Sequence, residues 1–352
     1  MDMHEIVMHI KNNEYPAVLA TLVGVEGHSY RKAGAVMLFF EGGAIGSLSP
    51  GCLESDLQLR TSEIWASDQA EVVEYDMLSP DDFSWGEAIG CGGKIKVVLE
   101  PIKGELRRLL LAANDRLAAN ESLILNRTIA GGNGGYVYSL LPRTCVVTPM
   151  DSIAFSTVLN PKPRLVIFGG GQDAEPIASL AARVGFRVVI ADWRENSLES
   201  NLSGAEKVLC SPVEAASRLG VGRSDYVLIG SHQFQRDRQF LEHVIPLNPC
   251  YIGIIGSSVR IHLLLEGLEA PPSLHAPVGL SIGGEGPEEI AVSIVAQMIQ
   301  IRRAGSRKLP KGGDYFENSG YLSGSRTKQS NGNLQGFHEA VPEDFTRERR
   351  AQ

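Results

Sequence analysis

Hydrophobic positions along this chain follow two different rhythms, and the change between them divides it. Met3, Ile6, Val7 and Ile10 recur at helical spacing and predict a short amphipathic helix ending near Asn12-Asn13. Ala17 to Val25 is an apolar run of strand length. Ala35 to Phe40 follows across a polar loop, and Ala44 to Leu48 follows the turn Glu41-Gly42-Gly43. The chain therefore opens as a small β-meander. A helix is predicted next, with Ser49 as N-cap, Pro50 at its first position, and Leu53, Leu57 and Ile64 near one face. Strands at 71–75 and 94–99, a helix at 105–118, and strands near 123–127 and 135–141 complete a first domain over residues 1–150.

Residues 151–163, with prolines at 161 and 163, read as a linker. Beyond it the pattern alternates β and α, with strands at 165–169, 187–191, 206–209, 225–229 and 251–255. The predicted fold class is α/β: a C-terminal Rossmann-like doubly wound parallel sheet over 164–310, joined to an N-terminal α+β domain. Its last helix is well marked. Pro287, Glu288 and Glu289 open it, Ile290, Ile294, Val295, Met298 and Ile299 share a face, and Arg302-Arg303-Ala304-Gly305 closes it. From Lys311 onward the chain is rich in Gly, Ser, Asn and charge, which predicts a mostly disordered tail over 311–352.

The second domain carries the most informative turn. The strand ending at Phe168 runs directly into Gly169-Gly170-Gly171. A helix marked by Ile177, Leu180, Ala181 and Val184 follows, and the strand from Arg187 to Ala191 ends in Asp192. Gly169, Gly171 and Ala174 occupy the G-x-G-x-x-G/A positions. Glycine permits a tight turn and close approach to a pyrophosphate, and the new helix aims unpaired N–H groups at that anion. Asp192, 21 residues after Gly171, stands where an acid meets a ribose hydroxyl. The unit predicts a nucleotide-type fold and leaves open whether its ligand is NAD(P) or something else, because a fold does not fix a ligand. In such sheets ligands collect beyond the carboxyl ends of the strands. Those ends carry Gly230-Ser231-His232, Gly256 to Arg260, and His275 to Leu280.

Composition narrows the classes. The chain has 352 residues and a net charge of −8, which disfavours nucleic acid and anionic membranes as partners. No apolar run is long enough to span a bilayer, and residues 1–12 carry acids and histidines in place of a basic-then-apolar leader, so a cytoplasmic location is expected. Five scattered cysteines argue for reduced thiols. Cys52 is expected in a helix's first turn, where the dipole lowers a thiol pKa; it reads equally as a small buried residue. Cys91, flanked by glycines, leaves its sulfur open to a ligand or serves a tight turn. Cys145, Cys210 and Cys250 read as structural. Neither C-x-x-C nor H-E-x-x-H spacing occurs, which argues against zinc.

With these residues placed, the chain resembles the XdhC/CoxI family, accessory proteins of xanthine dehydrogenase and related molybdenum hydroxylases. The resemblance runs from Ala17 to Arg303 and rests on the strings 31–38, Pro50-Gly51-Cys52-Leu53-Glu54, Cys91-Gly92-Gly93, Leu99-Glu100-Pro101, Asp192-Trp193-Arg194, Tyr251 to Ser257, and His275 through Ile294. It implies a protein that binds molybdenum cofactor, supports its sulfuration and inserts it into an apo xanthine dehydrogenase-type hydroxylase. A cysteine desulfurase is implied as a second partner and a homodimer as the assembly. It implies cofactor contacts at Cys52, Cys91, Gly169, Gly170, Gly171, Asp192, Arg194, His232, Gly256, Ser257, His275 and Gly283, with Cys52 and Cys91 as metal ligands. Molybdopterin offers a phosphate, which suits glycine-rich helix starts, and a soft metal end, which suits thiolates. Two departures stand out. The family's turn commonly continues Gly-His-Val, where this chain has Gln172-Asp173. Its usual His-Asp pair is here His232-Gln233, with Asp237 as the expected substitute. Cys52 and Cys91 are expected together on a first-domain wall facing Gly169–Gly171. The alternative reading is an NAD(P)-binding oxidoreductase using the glycine turn and Asp192.

Overall fold

Strand β1 (Ala17–Gly27) shows why its first seven residues are apolar but for Thr21: both of its faces are covered. In this computed structural model, which describes residues 2–51, 53–76, 93–129, 135–144, 153–198 and 204–307, β1 lies at the centre of a five-stranded antiparallel sheet. Its companions are β2 (Val36–Phe40), β3 (Gly43–Gly46), β4 (Glu71–Asp76) and β5 (Gly93–Pro101), in the order β3-β2-β1-β5-β4. Ala17 and Leu19 point to α1 (Asp2–Asn12) and α3 (Gly104–Ala118), where Ile6, Ile10, Leu106 and Leu110 meet them. Val18, Ala20 and Leu22 point the other way, to Leu53, Leu57 and Ile64 of and beside α2 (Glu54–Ser67).

Helix α2 begins at Glu54 and not at Pro50. The Glu54 carboxylate accepts from the Leu48 and Ser49 N–H groups at 3.0 and 2.7 Å and from the Ser49 hydroxyl. Ser49 Oγ in turn accepts from Gly51 N and Leu53 N. This carboxylate-centred turn replaces the expected first helical turn. Cys52, Cys91, Cys145 and the tail expected over 311–352 lie outside the described residues.

A second, three-stranded antiparallel sheet runs β7-β6-β8, built from β6 (Leu123–Ile129), β7 (Tyr136–Pro142) and β8 (Ile153–Leu159). Strand β8 falls inside the stretch expected to be linker. Phe155, Thr157 and Leu159 alternate inward there, a period-two signal overshadowed by the nearby prolines, and the connection narrows to 160–163. Arg127 ties this sheet to β5 through a bidentate pair with Glu100 (3.1 and 2.9 Å), and its Nη1 reaches Thr157 Oγ1 at 2.7 Å. Both charged side chains are 0% exposed.

The C-terminal lobe is a six-stranded parallel sheet in the order β11-β10-β9-β12-β13-β14. Its strands are β9 (Arg164–Phe168), β10 (Arg187–Asp192), β11 (Glu206–Leu209), β12 (Tyr226–Ile229), β13 (Tyr251–Ile254) and β14 (Leu274–His275). Helices α4 (Ala174–Arg183) and α8 (Gly286–Arg307) cover one face; α5 (Pro212–Arg218), α6 (Phe234–Val244) and α7 (Ser258–Leu265) cover the other. The chain reverses its direction of travel across the sheet between β9 and β12, which makes the crevice above their carboxyl ends the switch point. Arg302 of α8 donates to the Val184 carbonyl at the end of α4 (3.1 Å). The two helices are therefore parallel, and α8, like α4, starts at the sheet's carboxyl edge. No helix among the described residues is long and apolar enough to cross a membrane.

Candidate functional site

The switch point is built by backbones in close approach. Gly169 has φ +111°, and a β-carbon there would lie 2.5 Å from Ser231 Cα, so the loops after β9 and β12 touch only because this position is glycine. A β-carbon on Gly170 would lie 2.7 Å from the Ser197 carbonyl oxygen. Gly171 differs: nothing stands within 4 Å of the corresponding point. The turn thus presents one open glycine, three residues before the start of α4.

Asp192, at the end of β10, is 0% exposed and fully engaged. It accepts from Gly170 N (2.8 Å), Arg194 N (2.8 Å), Arg194 Nε (3.0 Å) and Arg194 Nη2 (2.8 Å). Burial acts to raise its pKa, but the Arg194 guanidinium and the N–H groups of Gly170 and Arg194 outweigh it and hold the carboxyl below its ordinary value. What reaches the crevice from this position is Arg194, whose side chain is 38% exposed.

The two departures from the family pattern meet across the crevice. His232, held at φ +60°, places Nε2 2.8 Å from Oδ2 of Asp173, the residue just before α4. A His–Asp pair is thereby rebuilt from two loops. The expected substitute, Asp237, is committed elsewhere: 1% exposed, it accepts from Ser231 N at 3.2 Å, from the Ser231 hydroxyl, and from Arg260 Nη2 at 2.7 Å.

The remaining predicted residues spread along the same carboxyl edge. Ser257 caps α7 by accepting from Arg260 N (3.4 Å), and Gly256, at φ +156°, lies against the Arg260 side chain. His275 pairs in register with Gly253, stacks on Tyr251 (centroids 4.8 Å apart), and is pushed down in pKa by burial; it lies on the edge strand, away from the glycine turn. Gly283 precedes α8 with open space around it. Its loop is fastened to that helix by Gly279 N to Gln297 Oε1 (3.0 Å), Ser293 Oγ to the Leu280 carbonyl (2.6 Å) and Glu285 N to Glu289 Oε2 (2.7 Å).

The aromatic and cationic contacts of this edge, and Arg236 altogether, escape a motif-based reading. Trp193 packs on Phe168, and the guanidinium carbons of Arg194 and Arg236 lie 4.7 and 5.7 Å from its ring centroid. Arg236 and Arg260 stand in the first turns of α6 and α7, where the helix dipole disfavours a cation. For Arg236, that misplaced charge is the sequence signal that could have found it.

The described thiols are poor nucleophiles. Cys210 is buried and its thiol is pushed up by that burial. Cys250 is exposed as a residue, yet its sulfur turns inward onto the Asp225 carbonyl (3.2 Å), and burial pushes the thiol up to about 11. Among the described residues no group of three or more His, Cys, Asp or Glu is placed to hold a metal ion. The expected positions of Cys52 and Cys91 opposite the glycine turn fall outside the described residues. A polar side-chain contact between the lobes, Asn120 Nδ2 to Ser224 Oγ (3.3 Å), lies at the other, amino edge of the parallel sheet.

Comparison with known proteins places this architecture. A model of the XdhC and CoxI family matches residues 11–76, and one of the XdhC Rossmann domain matches residues 165–298. A probable xanthine dehydrogenase subunit from Bacillus subtilis is 37% identical over 327 residues, covering 86% of this chain and 98% of that protein. The chain belongs to the XdhC and CoxI family. A second relative, the molybdenum cofactor insertion chaperone PaoD of Escherichia coli, is 25% identical over 301 residues, 81% of this chain and 83% of that protein. The crystal structure of a xanthine dehydrogenase from Bacillus halodurans superposes with a TM-score of 0.80 at 36% identity, covering 90% of this chain and all of that one. The XdhC Rossmann assignment coincides with the six-stranded parallel sheet, and the XdhC and CoxI match runs from the end of α1 through β1 to β4.

Proposed function

We propose that this protein binds molybdenum cofactor as cargo and inserts it into a xanthine dehydrogenase-type hydroxylase, supporting sulfuration of the cofactor on the way. The similarity to a molybdenum cofactor insertion chaperone, which extends over 83% of that relative, supports the cargo. One observation of this structure favours it over an NAD-dependent oxidoreductase. Asp192, which would have to receive a ribose diol, is sealed beneath Arg194 with its acceptors already engaged. The crevice presents a guanidinium, an open glycine at Gly171 and the His232–Asp173 pair, a set suited to an anionic, hydrogen-bonding heterocycle.

In this reading the N–H groups at the start of α4 and the open face of Gly171 receive part of the cargo, while His232, oriented by Asp173, donates to or accepts from its ring. Cys52 and Cys91 serve the soft metal end, a cysteine desulfurase supplies sulfur, and the working assembly is a homodimer. The test is direct. The protein purified from molybdenum-replete cells should carry molybdenum and pterin, and it should raise the activity of an apo-hydroxylase in a purified mixture. Cys52→Ala should lose molybdenum retention without losing fold. A preparation that binds NAD(H) tightly, carries no pterin and leaves the apo-hydroxylase inactive would refute the proposal.

A further inference from the structure

The carboxyl edge of the parallel sheet holds more positive charge than its buried acids account for. Asp192 and Asp237 are almost fully buried, and each fixes one arginine: Arg194 from the loop after β10 and Arg260 from the start of α7. Arg194 lies close enough to feel Asp237 as well as Asp192. Arg236 is the charge left over. It is exposed, its one hydrogen bond among the described residues goes to the neutral Gln239 at 3.5 Å, and it sits in the first turn of α6, where the helix dipole adds to its positive field. Its guanidinium approaches the same indole ring, Trp193, that Arg194 flanks. Two guanidiniums thus lie near one indole ring, and of the two only Arg194 has a carboxylate partner among the described residues. Arginine forks of this kind match the oxygens of a phosphate, and the indole offers a planar surface next to it.

We infer that Arg194, Arg236 and Trp193 form a phosphomonoester subsite, separate from the glycine turn, which grips the terminal phosphate of a planar heterocyclic ligand. The inference rests on the proposed cargo for the identity of that ligand, since molybdopterin carries such a phosphate; the subsite itself rests on the geometry of the three side chains. It also explains what Asp192 does here. The acid is a positioning residue that holds Arg194 at the rim, and the position that would read a ribose hydroxyl reads a phosphate.

Equilibrium binding with the full chain tests this. The probes are the oxidised, metal-free derivative of molybdopterin with its phosphate and the same compound after phosphatase treatment, together with NADP+ and NAD+, which differ by one phosphomonoester. Wild type should bind the phosphorylated pterin about tenfold or more tightly than the dephosphorylated one. Arg236→Ala should lose about that factor for the phosphorylated form and none for the other, and Arg236→Lys should recover part of it. Because Arg236 is exposed, the melting temperature of the variant should match wild type. Equal affinity of wild type for the two pterin forms, or an Arg236→Ala variant that keeps the full preference, would overturn the subsite. Wild type that ignores both pterins yet prefers NADP+ to NAD+ would support the subsite and refute the cargo. Binding of none of the four would refute both.

Discussion

Two carboxylate–guanidinium pairs, one in each lobe, use the same chemistry to different ends. In the N-terminal lobe Glu100 and Arg127 close on each other with both side chains 0% exposed, and the spare guanidinium edge is used up by Thr157. In the Rossmann lobe Asp192 is equally buried, but its partner Arg194 remains 38% exposed. The first pair joins two sheets and offers nothing to solvent. The second is a buried anchor with an accessible cation on top. Burial of the acid is the same in both pairs; what separates them is the exposure of the base.

The contrast predicts a descending series of effects. Arg127→Met should be the most damaging single change, because it strands Glu100 in a dry interior; a loss of about 3–5 kcal/mol is expected by chemical denaturation, and adding Glu100→Leu should recover much of it. Gly169→Ala comes next. Its β-carbon meets Ser231 backbone at 2.5 Å and its φ is +111°, so a loss of about 2 kcal/mol or more should appear as a lowered melting temperature.

Asp192→Asn should cost about 1–3 kcal/mol at neutral pH, since the charge-assisted bonds to Arg194 go while Gly170 N keeps an acceptor. Its sharper signature is in pH. The folded pKa of Asp192 is depressed, so its contribution is fully present above the unfolded value of about 3.9 and is lost as pH falls through the lower folded value. The variant's stability should consequently fall less steeply than wild type's at acid pH. Gly171→Ala sits at the bottom of the series. With open space at its β-carbon and no positive φ, it should shift stability by about 0.5 kcal/mol or less in the stabilising direction, yet it should weaken ligand binding at the turn.

The alternation of β and α, the strand ends and the boundaries of α8 were legible in sequence because apolar periodicity and helix caps are local signals. Strand β8 was not, because Pro161 and Pro163 marked the stretch as linker while the pairing that makes it a strand comes from β6, far back in the chain. The start of α2 was misplaced for a similar reason: Ser49 and Pro50 are good opening residues, but Glu54 reaches back and turns them into a separate loop. The glycine turn and Asp192 were found as a motif, yet the motif could not show that Arg194 covers the acid. The His232–Asp173 pair was hidden because its members stand 59 positions apart and meet only through the sheet order. Arg236 left a faint trace, a cation at the wrong end of a helix, and only geometry joins it to Trp193.

The placement of α8 has a consequence for how the protein is made. Ala291, Ile294, Val295 and Met298 close the face of the sheet that α4 begins to cover more than a hundred residues earlier, around Leu165, Ile177 and Ala181. The N-terminal lobe needs nothing beyond β8 to complete its own core clusters. A growing chain can thus finish its first lobe at Leu159 and must carry an uncovered apolar sheet for the roughly ten to thirty seconds of synthesis that bring α8 into reach. Arrested chains ending before residue 290 should show a protease-resistant first lobe and a digestible second one, and release of α8 from the ribosome is the event that closes the second lobe.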